Sequence, residues 1–203
     1  DIRRQVERLT ELTRDLIDLS RMDEEQPPLQ RLDFPLSDMV SETAQSYSAL
    51  ARTQNRTFLA EVQENLSLRG DEKRLRQMLT ILLDNALKYS PEGGDIAMTL
   101  ERRGRFIRLR VWNTTDMPLP EDLSRLFERF YRADASRSTR GYGIGLSIAK
   151  AIVQAHNGRI SICAAHGGKN SACAAHNGKV SAKAAGRGET EKNVLSVDVL
   201  LPG

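Results

Sequence analysis

Asp71-Glu72-Lys73-Arg74-Leu75-Arg76-Gln77-Met78-Leu79-Thr80-Ile81-Leu82-Leu83-Asp84-Asn85-Ala86-Leu87-Lys88-Tyr89 is the stretch on which the fold turns. Leu75, Met78, Leu79, Leu82, Leu83 and Ala86 recur at three- and four-residue intervals, the period of a helix with one buried face. Asp71 is a residue type that caps helix starts, and Ser90-Pro91-Glu92-Gly93-Gly94 ends the run. Ile81, Asn85 and Lys88 form a second stripe beside the apolar one. An Asn in such a helix is costly unless something bonds it. Asn85 is therefore either a core amide tied to neighbouring backbone or a ligand, and an amide oxygen suits Mg2+ that is held mostly by phosphates and water. Lys88 is either a solvated helix end or a partner for the same phosphates.

Working outward, helices and strands mix in the manner of an α/β domain. Upstream, 29–34 reads as a short strand, 35–54 as a helix with Leu36, Met39, Val40, Ala44 and Tyr47 on one side, and 58–62 and 66–68 as short strands. Downstream, 96–100 and 106–112 alternate as two strands, and the Arg103-Gly104-Arg105 turn makes them an antiparallel hairpin. Asn113 is expected just beyond that hairpin. A short helix at 120–130, a polar loop at 131–141, a helix at 144–156 ended by Asn157-Gly158 and a strand at 194–201 complete the domain. Residues 1 to about 24 read as one helix, with Ile2, Leu9, Leu12, Leu16 and Leu19 at heptad-like spacing widened by Val6, Ile17 and Met22. So wide a stripe suits a bundle of several helices. Pro27-Pro28 separates it from the rest, and the chain is expected to begin inside a larger protein. The expected division is 1–26 as a partial bundle and 29–203 as the domain proper.

Composition narrows the function classes. The chain has 203 residues, with 30 basic and 27 acidic side chains for a net charge of +3, which does not mark a nucleic-acid binder. No run approaches the roughly 20 apolar residues of a membrane helix. The two cysteines, Cys163 and Cys173, point to a reducing compartment and no disulfide framework.

A ten-residue unit occurs three times: Ala155-His156-Asn157-Gly158-Arg159-Ile160-Ser161-Ile162-Cys163-Ala164, then 165–174, then 175–184. A fold-building repeat needs a longer unit and more copies, so this reads as a local tandem expansion inserted at about 165–184. Cys163 with His166 and Cys173 with His176 have C-x-x-H spacing, compatible with zinc, although duplication copies such spacing without selecting it. The alternative is an additional hairpin beside the main sheet, or strands exchanged between chains.

The chemistry gathers around Gly141-Tyr142-Gly143-Ile144-Gly145-Leu146, which runs straight into a helix. Glycines admit close backbone approach, and the amides of a helix start attract phosphate. Leu146 stands where a dinucleotide fingerprint needs its third glycine, and no Lys-Ser/Thr follows for a Walker loop. A tight turn made for packing explains the glycines equally well when they are taken alone.

Taken together, the motifs resemble those of bacterial sensor histidine kinases. Asp84-Asn85-Ala86-Leu87-Lys88-Tyr89-Ser90 resembles the family's N box, Leu126-Phe127-Glu128-Arg129-Phe130-Tyr131-Arg132 its F box, and Gly141 to Leu146 its second glycine box, in the family's order. Ser20-Arg21-Met22-Asp23 resembles the end of the second helix of its dimerisation bundle. The resemblance implies a two-layer α/β sandwich of the histidine kinase ATPase (Bergerat) type, preceded by one bundle helix, with ATP between the helical layer and a lid. It further implies Mg2+ on Asn85, Lys88 and Tyr89 beside the phosphates and ribose, and phosphates on Gly141, Gly143, Ile144, Gly145 and Leu146. Asn113 stands where the family's first glycine box usually begins with an Asp that accepts from the adenine amino group; an Asn oxygen can still accept. Arg129 and Arg132 are the candidates for the γ-phosphate, because phosphoryl transfer needs charge neutralisation more than covalent help. Arg137 and Arg140 read as solvated lid residues.

The resemblance also implies partners: a second kinase chain through the bundle, a response regulator, no nucleic acid, and a membrane only through parts of the parent protein outside this chain, which would itself be cytoplasmic. Two departures shape the expected mechanism. Ile81 occupies the place where related ATPases carry a water-activating Glu, so hydrolysis should be slow. The acceptor histidine belongs to a bundle helix before Asp1, and His156, His166 and His176 do not match its motif, so this chain should not phosphorylate itself. Competing readings are a regulatory ATP-binding module without transfer activity and an ATPase of the wider superfamily.

Overall fold

The computed structural model describes residues 29–118, 120, 122–132, 143–166, 169–175 and 193–203. The expected bundle helix at 1–26, Gly141, Arg137, Arg140 and the third copy of the repeat beyond Ala175 lie outside the described residues.

Strand β1 (Leu32–Pro35) leads directly into helix α1 (Leu36–Thr53), followed by β2 (Thr57–Val62) and β3 (Ser67–Gly70). Helix α2 spans Glu72–Tyr89, with Asp71 as its N-cap: the carboxylate accepts from the Arg74 amide at 3.1 Å. Such a cap contributes about 1 kcal/mol. Strands β4 (Asp95–Arg103) and β5 (Phe106–Thr115) form the expected antiparallel hairpin. The helix expected at 120–130 is a shorter 3-10 helix, Leu123–Phe127, started by the Asp122 carboxylate. Helix α3 (Gly145–Ala155) stops at His156, with Asn157 in the left-handed region at φ 57°. Strands β6 (Arg159–His166), β7 (Lys169–Ala175) and β8 (Asn193–Pro202) complete the order.

The main sheet runs β2-β4-β5-β8-β6-β7, with β2 parallel to β4 and the other neighbours antiparallel; β1 and β3 form a separate two-stranded ribbon. Alternate residues of β4, β5, β6 and β8 enter a core shared with helices α1, α2 and α3. Met98, Val111, Val197 and Ile162 sit in one cross-strand row on that inner face, all buried. From the helical side, Leu75, Met78, Leu79, Leu82, Leu83 and Ala86 meet them, at most 2% exposed. The apolar period of α2 thus marks its inner face, and the architecture is the expected two-layer α/β sandwich.

The repeat resolves into strands. The first copy supplies β6, inside the sheet, and the second supplies β7, paired antiparallel on β6 as a hairpin at the sheet's edge. Cys163 and Cys173 are register partners across it. Cys163 is disulfide-bonded, which corrects the expectation of no disulfide. An antiparallel hairpin brings opposite each other two cysteines whose spacing along the chain gives no hint of contact. A cysteine so held is not a free thiolate for zinc. Among the described residues no cluster of three or more metal-ligating side chains occurs, and His176 lies outside them.

Candidate functional site

A cavity of about 310 Å3 lies between the C-terminal half of α2, the N-terminus of α3 and the inner face of the sheet. Asn85, Lys88, Tyr89, Asn113 and Arg132 line it, as do Gly143, Ile144, Gly145 and Leu146. Eleven candidate residues were named from the sequence, and the fold brings these nine together. Arg129 is exposed and does not line the cavity; Gly141 lies outside the described residues.

Asn85 is half-buried, and its Nδ2 donates to the Ile81 carbonyl one turn back at 2.8 Å. That bond orients the amide, because its nitrogen is the only donor. Oδ1 is left as an acceptor for an occupant of the cavity. The arrangement answers both sequence readings at once: the amide is tied to local backbone and still offers an oxygen suited to a hard cation.

The glycines of α3 serve close approach. A Cβ on Gly145 would stand 3.2 Å from Ile81 Cγ2 and 3.7 Å from Asn85 Nδ2, so the start of α3 lies directly against the ligand stripe of α2. Gly143 has φ 75°, and a Cβ there would stand 2.5 Å from the Tyr131 carbonyl oxygen. Only glycine fits this position. The Gly143 carbonyl accepts from the Phe130 amide at 3.0 Å, which holds together the two ends of the segment between them. Helix α3 has no side-chain N-cap among the described residues. Its first amides therefore face the cavity with their helix-end partial charge available to an anion.

Asn113 sits within β5, paired with Ile96 and Leu195, rather than beyond the strand. The strand continues because β8 pairs with it as far as Thr115. Asn113 is 5% exposed, and its Nδ2 donates to the Thr114 carbonyl at 2.9 Å. The amide oxygen of a cavity-lining residue is again the free acceptor. A carboxylate here would set an oxygen against the Thr114 carbonyl, which accounts for an amide at this position.

Lys88 Nζ lies 4.7 Å from the centroid of the Tyr89 ring, a cation–π contact that holds both side chains at the rim. Ile81 also lines the cavity, so the side chain at that position is aliphatic and offers no base. Sequence reasoning missed Asp84. It lines the cavity and accepts from the Tyr47 hydroxyl of α1 at 2.5 Å. Burial pushes the Asp84 carboxyl above its ordinary value against the opposing effect of the Tyr47 bond, and burial followed by Asp84 pushes the Tyr47 phenol up. The apolar lining from Val111 and Val197 was legible only as positions in alternating strands, and that from Ile162 was not legible, because its segment read only as part of a repeat.

Comparison with known proteins fits this geometry. Residues 70–194 match the family model described as histidine kinase-, DNA gyrase B-, and HSP90-like ATPase. The sensor protein DltS of Streptococcus agalactiae is 34% identical over 157 residues, covering 77% of this chain and 40% of that protein. Among solved structures, the nucleotide-free catalytic domain of histidine kinase ThkA has TM-score 0.61 at 24% identity, covering 85% of this chain and 96% of that one. ThkA in complex with the response regulator protein TrrA has TM-score 0.67 at 22% identity, covering 97% and 49%. The chain spans between 32% and 40% of the length of the curated relatives it matches. Among the described residues, no helix is long and apolar enough to cross a membrane.

Proposed function

The chain belongs to the histidine kinase-, DNA gyrase B- and HSP90-like ATPase family, and on that premise we propose that it is the ATP-binding catalytic part of a two-component sensor histidine kinase. It passes the γ-phosphate of ATP to a histidine outside this chain, from which a response regulator receives it. The observation that carries this reading is the junction of Asn85, Ile81 and Gly145. A cation-holding amide and a phosphate-binding helix start are in contact there, with no water-activating carboxylate at the position where an ATPase needs one.

In this reading Asn113 Oδ1 accepts from the adenine amino group, and the uncapped amides of α3 bind the phosphates. Asn85 Oδ1 holds Mg2+, which would neutralise charge on the phosphate oxygens. Lys88 and Tyr89 lie toward phosphates and ribose. Arg132 reaches the γ-phosphate from the cavity wall, and Arg129 does so from outside it once an acceptor docks. The partners are a second kinase chain, joined through the helical bundle, and a receiver domain. The chain is the cytoplasmic portion of a membrane-anchored sensor.

The test supplies a bundle carrying the acceptor histidine in trans, with γ-labelled ATP. Label on the histidine is expected. Binding without label would replace this reading with a regulatory module, and free phosphate as the main product would replace it with an ATPase.

A further inference from the structure

Helices α2 and α3 meet at two ends, and the end away from the cavity is as closely built as the cavity itself. His156 directly follows α3 and is 5% exposed. Its Nε2 accepts from the Asp71 amide at 3.0 Å, and its Nδ1 faces the Ile152 carbonyl at 2.8 Å, which assigns the proton to Nδ1. The ring lies against Gly70, where a Cβ would stand 2.9 Å from Cδ2. Two residues that lead into β1 close on the same point. Arg31 Nη2 donates to the Ala155 carbonyl at 2.7 Å, and the Gln30 amide donates to Asp71 Oδ2 at 3.3 Å. Nothing in the ATP chemistry uses these residues.

Apolar contacts between packed helices resist separation but are nondirectional, and they set axial position weakly. A hydrogen bond from one helix end to the other helix's first amide sets it sharply. We propose that His156 is a positioning residue for the nucleotide site: its ring pegs α3 along α2 and so fixes where Gly145 and the phosphate-binding amides stand relative to Asn85. This rests on the ATP reading of the cavity. Because Arg31 and Gln30 bind at the peg, the segment entering the domain and the nucleotide helices share one joint. Burial holds the imidazole below its ordinary value of 6.5, and Arg31 pushes the same way against the Ile152 carbonyl and Asp71. Arg31, from the segment before β1, and Asp71, from the cap of α2, are the charged groups facing it. A proton on Nε2 would turn the acceptor into a donor against the Asp71 amide.

The experiment titrates a fluorescent ATP analogue into the full chain, wild type and three variants, over a falling pH series that starts at about pH 7.5. His156→Leu fills the space without the bonds, and Gly70→Ala displaces the ring while leaving it intact. Both are expected to weaken binding about tenfold or more in protein that melts above the assay temperature. His156→Gln, whose amide can make both bonds, stays within about threefold. The wild-type to His156→Gln affinity ratio, in which the nucleotide's own titration cancels, falls through the range in which the folded imidazole takes up its proton, followed by its NMR signal. Folded Leu and Ala variants that bind like wild type overturn the proposal, as does a ratio that stays flat through that titration; if His156→Leu does not fold, the folded Gly70→Ala variant decides. Wild type that binds no ATP would instead overturn the proposed function.

Discussion

The two ends of the α2–α3 pair are made from similar materials and finished differently. At the far end the His156 ring, the Asp71 carboxylate and the Ala155 carbonyl all have partners within the fold. At the cavity end Asn85 and Asn113 each spend their amide donor on a backbone carbonyl and keep an oxygen facing the cavity, and α3 starts without a side-chain cap. Buried polar groups are normally satisfied internally. The end where they are held in place but left incomplete is therefore the end built for a ligand, and the completed end holds the helices in place and acts on that ligand only through their position. Mutations at the first should cost function with little stability, and mutations at the second should cost stability first.

The largest expected effect comes from the open end. Asn85→Ala removes a half-buried side chain whose one internal bond is local, so the melting temperature should move by only a few degrees, on the order of 1 kcal/mol. Labelled transfer to an acceptor bundle should fall by about a hundredfold or more. Transfer within a few-fold of wild type would erase the distinction between the two ends. Next is Gly143→Ala, which forces a side chain into φ 75° against the Tyr131 carbonyl. About 1–3 kcal/mol of local strain is expected to appear as weaker nucleotide binding by isothermal titration, because the displaced backbone lies beside the first amides of α3, to which the proposed function assigns the phosphates.

Two smaller effects sharpen the closed end. Asp71→Ala loses the cap of α2 and the acceptor of the Gln30 amide, and should lower unfolding stability by about 1 kcal/mol in urea titrations. His156 makes stability depend on pH with a definite sign. Its folded value is depressed below 6.5, so the unfolded chain takes up the proton first. Its contribution is whole above pH 6.5 and is lost as pH falls from there toward the folded value. Asp84, solvent-exposed but with its carboxyl raised above 3.8 chiefly by desolvation, acts more weakly and with the opposite sign: stability is lost as pH rises from that value through the folded one. The stability of His156→Gln relative to wild type should therefore improve on acidification below 6.5 and be constant above it.

The same contrast separates what could be read from the sequence from what could not. Helix α2 was legible to its end residues because its apolar period, cap and stop are all local. That Asn85, Gly143 and Gly145 would gather at one place was legible because they violate local rules, and they do line one cavity. Asn113 was misplaced because β5 is prolonged by pairing with β8, a partner some 80 residues away in the chain. Arg129 reads like Arg132 in sequence, yet only Arg132 is turned into the cavity. The disulfide at Cys163 depends on hairpin register, and the His156 joint on a contact with Asp71 across 85 residues. Neither has a local signature.

The repeat offers the finest version of the comparison, because nearly one sequence unit occupies two settings. In the first copy Ile160 and Ile162 are at most 1% exposed and belong to the core, and Ile162 also lines the cavity. In the second copy Asn170 and Ala172 stand at the equivalent positions, on the edge strand β7. Of these two copies, only the one inside the sheet carries large apolar side chains at those positions. Strand β7 is separated from β5 and its Asn113 by β6 and β8. Deleting residues 165–184 should consequently lower the melting temperature, since β6 loses its hairpin partner and Cys163 its disulfide, while ATP affinity stays within about threefold of wild type. Titration of the deleted chain with an ATP analogue measures this. A folded deletion variant that has lost binding would show that the edge hairpin, through β6 and Ile162, takes part in shaping the cavity, and would move the boundary between the open and closed regions out to the edge of the sheet.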